Sequence, residues 1–245
     1  MSAPCDLDGG ICMPPSSVPT DGRAVAGRAA REIVYVGDPL CSWCWGVSPA
    51  LKQLQAYAET QNLPFNIVVG GLRPGGGDPW TPRFQAFLRH HWEEIGARSG
   101  QPFSFAILSR EHFNYDTEPP CRAVVVAREM LRNRQTAERV LYAFFCDIQE
   151  KFYVANQDPA ELSFYESICA RHELDFSQFS LGFDSEAARA ATLADFSLCQ
   201  RWGINAFPTV ILRQAHDMQA IARGFASGAE MIAKTQSLLV SPDGA

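Results

Sequence analysis

Apolar positions fall into three regimes along the chain. A β-branched run, Ile33-Val34-Tyr35-Val36, predicts a strand over 32–36; helical spacing follows over 47–60, then a second strand over 65–69. Pro49 lies within the first turns of that helix, placed to start its regular part or to kink it. Gly70-Gly71 and Pro74-Gly75-Gly76-Gly77 mark a long turn out of this β-α-β unit. From Pro79 to Arg189 the period becomes helical, as in Phe84, Phe87, Leu88 and His91, or Val140, Phe144, Phe145 and Ile148. Asp158 with Pro159 predicts a capped start for a helix over 162–171, and Asp184-Ser185-Glu186 opens another to about Trp202. That makes four or five helices with no strand among them.

Strand character returns over 209–212 and 218–222, with a turn at 214–217, and an amphipathic helix is expected over 229–239. The order β-α-β, helices, β-β-α predicts an α/β fold: a central mixed sheet with flanking helices, interrupted by a helical insertion. The expected bounds are 31–72 and 190–240 for the sheet domain and 73–189 for the insertion. Residues 1–30 carry Pro14, Pro15, Pro19 and Gly9-Gly10 without periodicity and are expected to be a mobile tail. Cys5 and Cys12 lie inside it; they are expected as free tail thiols, with an auxiliary redox or metal pair as the alternative.

Composition narrows the function classes. With 245 residues and 47% hydrophobic content, the chain can bury one core plus an inserted subdomain. A net charge of −6 with no Lys/Arg stripe argues against nucleic-acid binding. No apolar run approaches the roughly 18 residues of a membrane span, and no basic-then-apolar leader is visible. The expected compartment is the cytoplasm, where most of the eight cysteines would be free thiols.

The chemistry concentrates at Cys41-Ser42-Trp43-Cys44, directly after the first strand and at the start of a helix. Two thiols at a helix's first turn can close a small disulfide ring, and unpaired N–H groups there favour thiolate at the leading cysteine. Cys41 is the expected nucleophile and Cys44 the resolving thiol; Trp43 is a candidate for peptide contact. A second element, Phe207-Pro208-Thr209, precedes the returning strand. Proline has no N–H to donate to a ladder, so a special turn with a cis bond is expected, setting Phe207's backbone beside Cys41 for an extended substrate.

The ordered set of CxxC, helical insertion, Phe207-Pro208-Thr209 and Gly224 resembles the DsbA family of thioredoxin-fold oxidoreductases. The string from Asp38 to Gly46 resembles a subgroup of cytoplasmic FrnE-like disulfide isomerases. The resemblance implies a thioredoxin fold, catalytic Cys41 and Cys44, and a substrate-side turn at Pro208. It implies no bound cofactor beyond the Cys41–Cys44 disulfide, with an external thiol reductant such as glutathione or thioredoxin. The implied partners are disulfide-containing proteins or peptides and a redox partner. The family often buries an acid six residues before the first active cysteine. Tyr35 stands there instead, leaving Asp38 as a candidate proton acceptor or simply a turn residue ahead of Pro39.

Cys121 opens a helix and is a candidate auxiliary thiol, while Cys146, Cys169 and Cys199 read as buried hydrophobes. Trp45 is a candidate for shaping the substrate surface, and Arg73 with Trp80 for a groove wall. His90 and His91 lack partners at ligand spacing, and no metal site is expected. Two other readings stand beside disulfide exchange. One is a glutathione-dependent transferase or isomerase of the kappa-class type, which usually carries Ser where this chain has Cys41. The other is a non-enzymatic zinc module using Cys41 and Cys44 with Cys5 and Cys12 or Cys121, although the chain has a single CxxC.

Overall fold

The computed structural model describes residues 5–13, 31–215 and 217–240. Strands β1 (Cys5–Asp6) and β2 (Ile11–Cys12) form a small antiparallel hairpin. Strand β3 (Glu32–Gly37) runs through the sheet interior and is buried from Ile33 onward, which explains a continuous apolar run in place of alternation. Helices α1 (Ser42–Gly46) and α2 (Ser48–Thr60) follow, joined at Val47. Helix therefore begins five residues before the expected 47. The break falls where Pro49, lacking an N–H, enters the first turn of α2. Strand β4 (Phe65–Val69) then pairs parallel to β3.

The middle of the chain is helical. Helix α3 (Pro82–Ser99) is capped by Thr81, whose hydroxyl accepts the Phe84 N–H. Helices α4 (Glu118–Leu131), α5 (Ala137–Tyr153), α6 (Glu166–Arg171), α7 (Phe176–Phe183) and α8 (Glu186–Arg201) complete the series. The helix expected over 162–171 is shorter: Asp158 closes a local turn on Ala160 N–H, and Leu162–Tyr165 is a 3-10 turn leading into α6. Strands β5 (Thr209–Gln214) and β6 (Asp217–Arg223) and helix α9 (Gly228–Val240) end the described chain.

The sheet order is β4-β3-β5-β6, with β5 antiparallel to both neighbours and Thr209 opposite Val36. This is the mixed sheet with flanking helices that the element order predicts. The register brings the start of β5 alongside the end of β3, so Pro208 and the turn leading to Cys41 meet at one sheet end. The outer edge of β4 is covered: Asp195 of α8 accepts the Val69 N–H, and Arg128 of α4 donates to the Ile67 carbonyl while pairing with Asp195 at 2.8 Å. That pair ties two helices to an otherwise open strand. A second, aromatic-rich core gathers Trp45, Trp92, Tyr115, Phe152 and Tyr153. Among the described residues no helix is long and apolar enough to cross a membrane.

Residues 5–13 depart from the expected tail. Cys5 and Cys12 are joined by a disulfide, so they are not free thiols. Two backbone hydrogen bonds of 2.8 Å pair Cys12 with Phe207, and Cys12 is only 1% exposed. Composition suggested disorder because the segment is Gly-rich; a covalent link and a docking edge supply the order instead. The remainder of 1–30 lies outside the described residues.

Candidate functional site

Asp38 shapes the turn that presents Cys41. Its Oδ1 accepts the Leu40 N–H at 2.8 Å, and the Cys41 N–H donates to its main-chain oxygen at 3.0 Å. Its Oδ2 accepts the Leu72 N–H at 2.7 Å and the Cys121 thiol at 3.4 Å. One carboxylate thus links the turn, the loop after β4 and the start of α4. Burial pushes the Asp38 carboxyl up; the N–H donors of Leu72 and Leu40, then Thr117 and Cys121, pull it back. The carbonyl of Leu40 accepts hydroxyl hydrogen bonds from Tyr115 at 2.8 Å and Tyr153 at 2.6 Å.

Cys41 is the N-cap of α1, in extended conformation, with Cys44 one turn inside; both are free thiols and fully buried. The Cys41 thiol donates to the Phe207 carbonyl at 3.7 Å. Burial pushes the Cys41 thiol well up, the neighbouring Cys44 adds to this, and the Asp38 carboxylate adds further; the Cys44 backbone N–H works against them. The helix-terminus effect expected from the sequence is present but outweighed. In this enclosed site Cys41 is a thiol, not the ready thiolate that an exposed helix end would favour.

The other charged and polar neighbours are also enclosed. Arg73 pairs with Asp78, and its guanidinium lies over Phe84 at 5.1 Å and Tyr115 at 5.5 Å. Burial lowers its pKa, while Tyr115, Asp38, Tyr153 and Cys41 support its charge. Tyr35 is fully buried, and its hydroxyl has no hydrogen-bond partner. Burial raises that phenol and the adjacent Cys44 raises it further, so it is a neutral O–H beside the resolving position.

Phe207 and Pro208 are joined by a cis peptide bond. The Phe207 ring lies against Gly70 so closely that a Cβ there would come within 2.2 Å of it. Both backbone groups of Phe207 are occupied by Cys12.

Several sequence candidates are placed differently. Trp43 is 1% exposed, against Phe225 at 5.6 Å and under the Arg98 guanidinium at 5.3 Å, so it is no open peptide platform. Trp45 turns into the helical core, stacking on Tyr153 and donating its indole N–H to Pro102 at 2.9 Å; it packs and does not line a substrate surface. Trp80 donates its indole N–H to Arg110 and packs on Phe113. Cys121 meets the site through Asp38 but is sealed from solvent, and burial pushes its thiol well up. Cys146, Cys169 and Cys199 are buried, with thiols pushed up to about 12 by desolvation.

The zinc module does not assemble, since Cys5 and Cys12 are bonded to each other. Among the described residues no group of three or more His, Cys, Asp or Glu is placed to hold a metal ion. Sequence reasoning missed Tyr115 and Tyr153, which reach Leu40 from 75 and 113 residues away. No local pattern signals such contacts.

No family model matches the chain. It is similar to a crystal structure from Nitrosomonas europaea provisionally assigned as a protein disulfide isomerase. The two are 30% identical over 85% of this chain and 97% of that one, with a TM-score of 0.75. The chain belongs to the DsbA-like family of thioredoxin-fold thiol–disulfide oxidoreductases. Within this DsbA-like family it is also similar to the cytosolic disulfide reductase DsbM from Pseudomonas aeruginosa. That likeness is 26% identical over 85% of this chain and 98% of that one, at a TM-score of 0.69. A curated relative, the ClpXP adapter protein SpxH of Halalkalibacterium halodurans, is 24% identical over 211 residues. The match takes in 84% of this chain and 66% of that relative, so the chain spans less than two thirds of its length. A 2-hydroxychromene-2-carboxylate isomerase shares the DsbA-like fold at 12% identity and a TM-score of 0.53, a likeness of fold alone.

Proposed function

We propose that this chain catalyses thiol–disulfide exchange on protein or peptide disulfides in the cytoplasm, reducing or isomerising them with a small thiol such as glutathione as electron source. The observation that carries the reading is the Cys41 thiol at the N-terminus of α1, 3.7 Å from the Phe207 carbonyl, with Cys44 one turn behind it. Cys41 attacks a substrate sulfur; a Cys41–substrate disulfide forms as the substrate's own disulfide breaks and its second sulfur leaves as a thiolate. Cys44 then attacks Cys41, forming the 41–44 disulfide and releasing the first substrate sulfur. The Cys44 backbone N–H stabilises the Cys41 anion, and Asp38 holds the turn that aims it. Tyr35, neutral beside Cys44, hydrogen-bonds that sulfur when it ionises.

The cytosolic reductase DsbM, also solved with GSH and 28% identical in that structure, supports the compartment and the thiol class. Six unpaired cysteines agree with a reducing environment.

The test is reactivation of scrambled ribonuclease in a glutathione buffer. Wild type is expected to accelerate it, and Cys44→Ser to retain isomerisation while losing net reduction. A Cys41→Ser variant as active as wild type overturns the assignment. The SpxH relatives favour a second reading, a docking module for another protein. Partner capture that survives the loss of both Cys41 and Cys44, with no exchange activity in wild type, would select it.

A further inference from the structure

The hairpin of residues 5–13 occupies the backbone edge at which an extended disulfide substrate would dock. The Cys12 N–H donates to the Phe207 carbonyl and the Phe207 N–H donates to the Cys12 carbonyl, both at 2.8 Å, making an antiparallel bridge. The Cys41 thiol donates to that same Phe207 oxygen. One acceptor therefore gathers the main chain of Cys12 and the sulfur of Cys41. Strand β2 packs directly on α1.

The seat is built from several sides. Arg98 of α3 donates to the carbonyls of Leu7 at 2.8 Å and Asp8 at 3.0 Å while its guanidinium covers Trp43 and Phe225. Gly224, at φ +83°, receives the hairpin so closely that a Cβ would fall 2.1 Å from the Gly9 carbonyl. The residue paired with Phe207 is itself half of a disulfide.

We propose that Cys5–Cys12 is a second redox centre, a tethered disulfide docked as an internal substrate that exchanges electrons directly with Cys41 and Cys44. The inference rests on the exchange chemistry assigned above to Cys41. The Cys41 thiolate attacks Cys12 Sγ; the 41–12 bond forms, the 5–12 bond breaks, and Cys5 leaves as a thiolate. Cys44, deprotonated, attacks Cys41; the 41–44 bond forms and Cys12 leaves as a thiolate. The protons given up by Cys41 and Cys44 are taken up by Cys5 and Cys12. Two electrons have crossed from the inner pair to the outer one, and no further oxidant is needed. Cys5 is half-buried whereas Cys12, Cys41 and Cys44 are fully enclosed, so the outer pair connects the inner one to thiols and disulfides in solution. Tethering gives the step an effective concentration of order millimolar.

Cys44→Ala removes the resolving sulfur and stalls the exchange at its first stage. Acid quenching, non-reducing digestion and mass spectrometry are expected to find a Cys12–Cys41 linkage absent from wild type, at a yield independent of protein concentration. Cys5→Ser combined with Cys44→Ala, oxidised mildly, is expected to form the same Cys12–Cys41 linkage, while Cys12→Ser combined with Cys44→Ala forms no Cys5–Cys41 linkage in its place. Correct folding of each variant is read by circular dichroism, and the two routes to the linkage keep the test decisive if one variant is unstable. A control carries Cys5→Ser, Cys12→Ser and Cys44→Ala and is treated with a small aromatic disulfide. If Cys41 is modified in the control but forms no bond to Cys12 in either variant that keeps Cys12, the tethered centre is wrong and the exchange reading stands. If Cys41 is unmodified in the control and forms no bond to Cys12 in the other variants, both fall.

Discussion

Cys12 and Phe207 share two main-chain hydrogen bonds of 2.8 Å, and through them the chain's own disulfide hairpin fills the docking edge beside Cys41. Cys41 is enclosed at this edge, and its burial raises the thiol's pKa. Reactivity in this fold is then a question of how readily the hairpin lifts.

Arg98→Ala removes both donors to the Leu7 and Asp8 carbonyls and the cation over Trp43. The hairpin should open more often, and alkylation of Cys41 by a bulky maleimide should accelerate several-fold. Peptide-resolved mass spectrometry of the alkylated protein measures this; an unchanged rate would mean that Arg98 does not hold the cover.

Asp38→Asn tests the electrostatics. The Asp38 carboxylate raises the Cys41 thiol, so neutralising it should move the pH profile of Cys41 alkylation to lower pH. Asparagine keeps only one acceptor oxygen for the Leu40 and Leu72 N–H groups, so stability should fall by about 1–3 kcal/mol. The linkage sign runs the other way for ionisation itself. With its folded pKa raised, Asp38 favours the folded state at low pH, and that contribution fades as pH rises from the unfolded towards the folded value. Denaturation of wild type and variant across that acidic range should show the difference growing as pH is lowered.

Tyr35→Phe separates packing from chemistry. The hydroxyl has no partner in the enclosed thiol form, so its loss should leave stability unchanged or raise it by up to about 1 kcal/mol. Release of a mixed disulfide by Cys44 should slow, because the neutral donor beside that sulfur is gone. Rapid-quench measurement of the two half-reactions would reveal slowing in the second alone.

Arg128→Ala leaves Asp195 as a charge almost without solvent, 11% exposed, against the edge of β4. Because Arg128 is itself one-third exposed, the expected loss is at the low end for breaking a buried pair, about 3 kcal/mol, read by chemical denaturation. Exchange activity of the fraction that remains folded should not change, since the pair lies away from Cys41.

The parts of the fold that sequence patterns foretold are those set by local periodicity. Ile33 to Val36 read as a strand because the run is β-branched and apolar, and Thr209 begins β5 directly after Pro208, which has no N–H for the ladder. The thiol pair was legible for the same reason, being contiguous. What escaped were contacts between distant segments. Nothing near Tyr115 or Tyr153 signals that both hydroxyls meet at Leu40, and Trp45 has the same local signature whether it faces a substrate or a core. The hairpin was hidden by its composition: glycine and proline suggested a loose tail, whereas a covalent link from Cys5 to Cys12 and a vacant edge at Phe207 impose order that periodicity does not encode.

Reduction of insulin by glutathione, followed with wild type and Cys41→Ser at equal concentration, tests the central assignment most directly. The account predicts acceleration by wild type and a return to the uncatalysed rate with Cys41→Ser. Equal rates for the two proteins would contradict it.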